Sequence, residues 1–335
     1  ALDGVAIGGG GAAGLESGTG SQSMQSAASL TTTGADASGA QSIALGDAAV
    51  AGGPGGIAIG RNATQGTNDG IVIGPGASSA SNGTAIGPFA STTGNQGMAL
   101  GHTANAVNSG TAVGRRTDAT FDGATAVGNE AQAVATNAVA IGNAANASTG
   151  SSIALGNGAT VTGGAGISIG ENTDVNGGQG IAIGNNAETG TLGEQMAIGL
   201  DATSVGNAGS LALGRNSAAG GFVAQPTAIG RNASAQGGSS LAVGYNAVAT
   251  GGESTAIGTN TDATAQFATA LGYNAQATAV GATAIGDVTA AIVDTVSIKA
   301  LEVQSITGGI ILTSPDGTAW RMTISNTGVP VYALA

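Results

Sequence analysis

The feature that most constrains this chain is a four-residue unit that returns about every fourteen residues. The unit is Ile, Leu, Val, Met or Thr, then nearly always Ala, then Ile, Leu or Val, then Gly, as in Val5–Gly8, Ile57–Gly60 and Thr283–Gly286. It occurs nineteen times, and from Gly46 onward the step between closing glycines is 14 residues, slipping only to 13, 15 or 16. This length is too short for a helix pair or a propeller blade, but it suits one solenoid coil of two short strands and two tight turns. The repeat therefore predicts an all-β, elongated parallel β-solenoid.

Local chemistry within the unit suggests how each coil is built. Side chains alternate between faces in a strand, so Ile57 and Ile59 share one face and Ala58 points the other way. We expect the aliphatic pair to line the interior and the alanine to point outward. The closing Gly ends the strand at a bend that glycine adopts at little steric cost, and an Asn two residues later, such as Asn232, tolerates left-handed angles. A small residue three positions after the glycine, such as Ala63, predicts a second strand that packs in little space.

The amino-acid composition argues against several classes of structure and function. With 63 Gly, 2% aromatic and 8% charged residues among 335, the chain lacks the side chains for a large conventional core, while 41% hydrophobic residues argue against disorder. The formal net charge of −12 repels phosphate backbones and anionic headgroups, so no nucleic-acid partner is expected. No run of apolar residues is long enough for a membrane helix, so no membrane insertion is expected. The absence of cysteine excludes disulfides and thiolate metal sites.

Such a thin coil buries little apolar area, so a single solenoid is expected to be marginally stable. Lateral association of several chains would cover the remaining alanine face. Nineteen rungs about 4.8 Å apart predict a rod of roughly 90 Å.

The repeat resembles a known family. The unit Ile57-Ala58-Ile59-Gly60, followed three residues after its glycine by Ala63 and repeated at 14-residue spacing, is similar to the head repeats of trimeric autotransporter adhesins, the YadA-like left-handed parallel β-roll. The resemblance covers about residues 1–290. It implies left-handed coils, a homotrimer, and an adhesive or scaffolding role carried by a repetitive surface. Handedness and the number of chains follow from the resemblance alone.

Changes in composition divide the chain into three segments. Residues 1–40 are rich in Ser, Thr and Gly and form an irregular N-terminal repeat or attachment segment; residues 41–290 form the β-roll; residues 291–335 form a C-terminal neck and cap. In the last segment, 294–299 and 301–306 alternate like ordinary strands. Segments 310–313, 320–324 and 329–334, separated by turn residues, predict a small antiparallel β-meander. We expect Trp320 to seal the end of the solenoid.

The C-terminal sequence favours one biological context. Residues 312–328 resemble a short ending of tail and head appendage proteins of tailed bacteriophages. The chain begins with Ala1, consistent with removal of an initiator Met, and shows no export signal, heptad stalk or membrane-anchor strands of the kind that an autotransporter adhesin carries. The leading hypothesis is therefore a phage virion appendage, a trimeric tail or head fibre on the virion surface. It would join other virion proteins at one end and contact a host-surface glycan or protein.

Two other functions stay open. The first alternative is the head domain of a bacterial trimeric autotransporter adhesin, located on the bacterial cell surface. The second is an ice-binding solenoid, which requires a flat threonine array. The threonine column is irregular, because its members share their position with Ile, Leu, Val and Met in other rungs; these threonines are Thr84, Thr111, Thr125, Thr227, Thr255 and Thr283.

No catalytic, cofactor-binding or metal-binding residues are predicted, and the chain is not expected to be an enzyme. His102 stands alone in a turn, where a solvated side chain is the favoured interpretation. The glycine run 8–11 lacks the Gly-Lys-Ser/Thr of a phosphate loop. Acidic residues occur singly in turns, without the calcium-binding nonapeptide pattern, at Asp47, Asp174, Asp201 and Asp262.

Two further patterns arise from the repeat itself. Asn62, Asn146 and Asn232 begin Asn-Ala-Ser/Thr sequences that satisfy a glycosylation pattern, which we interpret as a by-product of the repeat. Tyr245 and Tyr273 follow closing glycines two rungs apart and should lie on one edge. Simple edge packing is the favoured interpretation, and stacking on sugar rings is the alternative.

Overall fold

A computed structural model describes residues 35–221 and 225–299 together with three C-terminal strands at 310–313, 319–324 and 330–334. All the regular elements of these residues are strands. The same residues include no helix with the length and apolar character of a membrane span. The all-β class predicted from the repeat is confirmed.

One parallel sheet is formed by the tetrapeptides. Each of the eighteen tetrapeptides from Ile43 onward contributes the three residues before its closing glycine, and one further strand follows the last tetrapeptide to make a 19-stranded sheet. We call it the long-strand sheet. Its strands are Ile43–Leu45, Ile57–Ile59, Ile71–Ile73, Thr84–Ile86, Met98–Leu100, Thr111–Val113, Thr125–Val127, Val139–Ile141, Ile153–Leu155, Ile167–Ile169, Ile181–Ile183, Met196–Ile198, Leu211–Leu213, Thr227–Ile229, Leu241–Val243, Thr255–Ile257, Thr269–Leu271, Thr283–Ile285 and Val296–Ile298.

A second parallel sheet runs alongside the first. It is built from the segment that begins four residues after most closing glycines, and its strands are mostly two residues long. We call it the short-strand sheet. Its strands are Val50–Ala51, Thr64–Gln65, Ser78–Ser81, Ser91–Asn95, Asn105–Val107, Asp118–Ala119, Gln132–Ala133, Asn146–Ala147, Thr160–Val161, Asp174–Val175, Glu188–Thr189, Thr203–Ser204, Ala218–Ala219, Ser234–Ala235, Val248–Ala249, Asp262–Ala263, Gln276–Ala277 and Thr289–Ala290.

Successive coils stack in strict register. In the long-strand sheet Val139 pairs with Ile153 and Ala140 with Ala154, and in the short-strand sheet Ala133 pairs with Ala147. Equivalent residues of successive coils therefore form columns along the solenoid. The predicted parallel solenoid of coils with about fourteen residues is confirmed over the described residues.

The predicted orientation of the tetrapeptide is wrong. Ala58 is fully buried, whereas Ile57 and Ile59 are only half-buried. The same holds in the coil that contains Ala140, which has no exposed surface, while Ile141 is 37% exposed. The alanines fill the interior, and the large aliphatic side chains point out of the solenoid.

The reason is the thickness of the roll. In one representative coil the buried interior consists of four alanines, Ala131 and Ala133 from one side and Ala138 and Ala140 from the other. Two sheets joined by such tight turns lie too close together for isoleucine side chains between them, because an overfilled core forces strain. Some polar residues that replace a core alanine are satisfied internally, as when Ser168 Oγ donates to Thr173 Oγ1 over 2.6 Å. The buried Thr189 Oγ1, by contrast, has no hydrogen-bond partner among the described residues.

The first turn is built on glycine as predicted. The closing glycines from Gly46 to Gly258 have φ of +131° to +143°, a region that side chains disfavour. Space is a second constraint, since a Cβ on Gly142 would lie 2.1 Å from the carbonyl oxygen of Gly156 in the next coil. Two residues later the chain is left-handed, with Asn at many coils but also Ala144, Glu130 and Phe89 at others. Stacking therefore enforces this conformation even where the local sequence does not favour it.

The second turn absorbs most of the variation in coil length. A longer loop at 190–195 connects Glu188–Thr189 to Met196–Ile198, and the buried Gln195 side chain closes it by donating from Nε2 to the Gly206 carbonyl oxygen. A second insertion lies at 220–226, of which residues 222–224 are outside the described residues.

Beyond residue 290 the long-strand sheet continues. Val296–Ile298 pairs in parallel with Thr283–Ile285, past the expected boundary between roll and neck, and the three-segment division stays a prediction. The predicted meander is present as Ile310–Thr313, Ala319–Ile324 and Pro330–Leu334, all antiparallel neighbours. The described residues do not include the strand-like segment 301–306, the turns of the meander, or the N-terminal segment 1–34 with its glycine run. The described side chains do not include that of Trp320.

Candidate adhesive surface

The outer side of the long-strand sheet is an aliphatic face. The third residue of each tetrapeptide is Ile, Leu or Val, and these side chains form one continuous column. The first residues form a second column, in which threonine replaces the large apolar residue in seven strands. Ile153 and Leu155, one from each column, are 36% and 39% exposed. The columns follow all nineteen strands, which at about 4.8 Å per strand corresponds to roughly 85 Å. A continuous apolar strip of this length is far larger than the isolated apolar patches of soluble monomers and marks an interaction surface.

The outer side of the short-strand sheet is polar. Its outward residues include Thr160, Asp174 and Glu188. Thr160 Oγ1 donates to Asp174 Oδ1 over 2.5 Å, so neighbouring coils are also linked by side chains. The roll is therefore amphipathic, with one face suited to protein contact and one suited to water.

The first-turn edge joins these two faces and carries two columns of exposed side chains. The first column contains the residue after each closing glycine, and the second contains the following left-handed residue. In the coils from Gly214 to Gly272, all five second-column residues are asparagines, and their amides form a continuous ladder. Nδ2 of each donates to Oδ1 of the next, at 3.2 Å, 2.9 Å, 3.1 Å and 3.4 Å; the members are Asn216, Asn232, Asn246, Asn260 and Asn274.

The first column beside this ladder carries arginine and tyrosine. Its residues are Arg215, Arg231, Tyr245, Thr259 and Tyr273, whose side chains are exposed or half-buried. The Arg231 guanidinium lies over the Tyr245 ring, 5.2 Å from its centroid. The predicted placement of Tyr245 and Tyr273 on one edge is confirmed, with exposures of 41% and 61%.

A second amide ladder occupies the first column of earlier coils. Asn129 donates to Asn143 over 2.9 Å and Asn143 donates to Asn157 over 3.0 Å. Arg115 Nε donates to Asn129 Oδ1 at one end of this ladder. The ladder is followed by Glu171, so this part of the edge carries an anion where the later coils carry arginine and tyrosine.

The single histidine has local contacts only. The exposed His102 ring meets the Phe89 ring edge-on, with centroids 6.1 Å apart, and its Nδ1 lies 3.3 Å from Thr103 Oγ1. In the described part of the chain no carboxylate hydrogen-bonds to this ring. The arrangement is that of a turn residue packed on its neighbours.

The carboxylates singled out in the sequence stay apart. Asp174 bonds to Thr160 and Asn176, and Asp201 accepts from Asn186. Over the described coils, no three His, Asp or Glu side chains come together in a way that could hold a metal ion. Of the three asparagines in glycosylation patterns, Asn62 is exposed, Asn232 belongs to the amide ladder, and Asn146 has a buried Oδ1 without a hydrogen bond.

Sequence reasoning missed the aliphatic face and both amide ladders. A signal for the first was present, because the central residue of the unit is almost invariably small while the flanking positions vary freely among Ile, Leu, Val, Met and Thr. A strict size limit indicates the interior. Each ladder joins asparagines at equivalent positions of successive coils. These positions can be recognised in the sequence only after the coils have been aligned in their exact register.

The fold and these surfaces define a class of repetitive β-solenoid proteins with a structural or adhesive role. A family model described as the YadA head domain repeat (2 copies) matches residues 37–63, 78–104, 108–131, 133–159, 227–247, 235–261 and 263–287, almost half of the chain. Among solved structures, the crystal structure of the collagen-binding domain of the Yersinia adhesin YadA is similar at 31% identity, covering 35% of this chain and 67% of that chain with a TM-score of 0.32. No curated protein sequence matches significantly.

The matched segments are therefore YadA head domain repeats. The resemblance seen in the tetrapeptide is confirmed by these matches. They give no support to the resemblance of residues 312–328 to phage appendage proteins.

Proposed function

We propose that this chain is the head of a trimeric, non-enzymatic surface adhesin. The single observation that carries the proposal is the aliphatic face of the long-strand sheet, which follows the solenoid on one side while the opposite face is polar. A face of this kind is stable in water only when it is covered, and proteins of this family assemble as trimers. Three copies that meet through their aliphatic faces would bury these columns around a common axis.

The same geometry supports an adhesive role. With the aliphatic faces covered, each copy still presents the polar face and the turn edges, repeated along a rod. Such a surface binds extended ligands by many weak contacts, whose combined affinity exceeds that of each contact. The similar Yersinia domain is a collagen-binding domain, and collagen is accordingly one ligand that the experiments should include.

We propose the bacterial cell surface as the location. The family matches favour an adhesin head over the virion appendage that was the leading expectation from the sequence. Both locations are surfaces, and immunodetection in outer-membrane fractions and in purified virions separates them. Enrichment with the virions would overturn the proposed location.

Oligomeric state and adhesion test the proposal together. Sedimentation velocity of the full chain should give one elongated species with three times the monomer mass of 31.1 kDa. Beads coated with this species should adhere to host cells or to collagen-coated surfaces more than beads coated with albumin. A stable monomer would refute the proposed assembly, and a trimer whose beads adhere no better than albumin beads would refute the adhesive role.

A further inference from the structure

The first-turn edge between Gly214 and Gly272 differs in charge from the rest of the chain. Seven Lys and Arg face 19 Asp and Glu overall, yet neither column of this edge has a carboxylate between Asp201 and Asp287. Between those two positions the only acidic residues are Glu253, in a second turn, and Asp262, on the short-strand sheet. We call the ten residues of the two columns the Arg–Tyr edge; they are Arg215, Asn216, Arg231, Asn232, Tyr245, Asn246, Thr259, Asn260, Tyr273 and Asn274.

The cations of this edge are available for a ligand. Among the described residues, Arg115 and Arg116 pair with Glu130, and Lys299 pairs with Asp287. Arg215 and Arg231 make no such pair. The Arg231 guanidinium lies over the Tyr245 ring, and a cation–π contact of this kind does not use the N–H donors as hydrogen-bond donors to an oxygen, so they stay available for an anion.

Aromatic and amide groups complete the surface. The rings of Tyr245 and Tyr273 are exposed two rungs apart, and tyrosine offers an apolar ring face together with a hydroxyl. Each amide inside the ladder uses one N–H and one oxygen lone pair on its neighbours, so it keeps one donor and one acceptor for a ligand. The ladder also holds these amides in a fixed row, which reduces the entropy lost on binding.

We infer that the Arg–Tyr edge binds an anionic polysaccharide, with arginines on its sulfate or carboxylate groups and tyrosine rings against its sugars. The edge is extended, since the four rungs from Arg215 to Tyr273 span about 19 Å, which matches a linear chain better than a compact ligand. Arginine forks pair with sulfate and carboxylate in a defined geometry. This inference rests on the proposed adhesive function and names the ligand class for one part of its surface.

Binding of the full-length trimer to immobilised heparin, a sulfated polysaccharide, tests the inference, with neutral dextran as the comparison ligand. The double variant Arg215→Gln/Arg231→Gln should bind heparin about tenfold more weakly, and Tyr273→Ser should weaken it about threefold or more. Thr259→Arg, which fills the gap in the cationic column, should strengthen it. Binding of the wild type should fall as salt rises.

Arg61→Gln is the matched control. Arg61 occupies the same first-column position after Gly60 and is also outside any ion pair in the described residues, but Asp47 precedes it in the column and no tyrosine follows in the next coil. Its heparin affinity should equal that of the wild type. If Arg61→Gln and the double variant lose heparin affinity equally, the binding is nonspecific electrostatic attraction and the inference is overturned.

Three further results would also overturn it, and each has its own meaning. Equal binding of dextran and heparin would show that the edge does not recognise the negative charge of the polysaccharide. Dissociation of the double variant into monomers would show that the edge is a contact between copies. A trimer that adheres to cells but ignores heparin would refute the anionic polysaccharide and leave the proposed adhesive function intact.

Discussion

The central side chain of each tetrapeptide controls the thickness of the roll. Ala58, Ala140 and Ala256 have no exposed surface, and the largest aliphatic side chain found at this position is Val72. The neighbouring isoleucines and leucines are under no such steric limit because they point outward. Substitutions of the central alanine should therefore change the stability of the fold, whereas substitutions of the flanking aliphatic residues should change the association of chains.

Ala140→Leu should destabilise the fold. Its added atoms enter an interior of alanines, and overpacking of this kind costs about 1–3 kcal/mol. Ile141→Asp, at a side chain that is 37% exposed, should instead leave the coils folded and weaken chain association. If the Ile141 side chain pointed inward, the same substitution would bury an unpaired charge and break the stacking of the coils. Urea unfolding followed by circular dichroism, together with sedimentation, distinguishes these results; an Ile141→Asp variant that associates like the wild type but unfolds as easily as Ala140→Leu would contradict the outward orientation.

Closing glycines are constrained by both backbone angle and space. Gly142→Ala places a methyl group at φ +140° and 2.1 Å from the Gly156 carbonyl oxygen, so it should lower the free energy of unfolding by more than about 1 kcal/mol. Gly178→Ala is the control, because a Cβ at that residue would have no heavy atom within 4 Å apart from those of Gly178 and its two chain neighbours, and its φ is outside the left-handed range. Thermal unfolding should separate the two, and similar midpoints would argue against the close stacking of the first turns.

At the scale of elements, side-chain ladders supplement the backbone hydrogen bonds between coils. Asn143 accepts from Asn129 and donates to Asn157. An exposed intramolecular hydrogen bond contributes about 0.5–1.5 kcal/mol at most. A ladder therefore adds modest stability per coil, but it accumulates along the rod.

Asn143→Ala should lower the free energy of unfolding by about 1 kcal/mol, because it removes both ladder bonds. Asn143→Asp keeps the acceptor for Asn129 and loses the donor to Asn157, so its effect should be smaller. Chemical denaturation of the two variants measures the difference. If Asn143→Ala unfolds at the wild-type denaturant concentration, the ladder contributes no stability.

The elements themselves could be predicted from the sequence, but their orientation could not. The 14-residue period and the positions of glycine and asparagine predict where Ile57–Ile59 and its equivalents begin and end. The turn residues predict the strands of the C-terminal meander. Alternation in a strand permits two opposite orientations, and the usual burial of large apolar residues selects the wrong one for so thin a roll. The Arg–Tyr edge was found only in part, because Tyr245 and Tyr273 have a visible spacing whereas the Arg231 contact and the Asn ladder depend on register.

At the scale of the whole molecule, the described coils behave as a one-dimensional stack. Each coil contacts the coil before and the coil after it, so stability is the sum of coil and interface contributions. Whole coils should then be removable while fractions of a coil should not. The closing glycines at 142 and 184 offer a test, since the residues after them, Asn143 and Asn185, are both asparagines.

Deletion of residues 143–184 removes three complete coils and joins Gly142 to Asn185. The new junction places the strand Met196–Ile198 against Val139–Ile141, so alanine again stacks on alanine and the aliphatic columns stay continuous. We expect a folded trimer about 14 Å shorter, from three rungs of about 4.8 Å, as measured by small-angle X-ray scattering. Deletion of residues 143–177 removes two and a half coils, leaves a coil without its short strand, and should expose the alanine interior. That variant should aggregate or lose strand signal, whereas equal folding of both deletions would show that the fourteen-residue coil is not the unit of assembly.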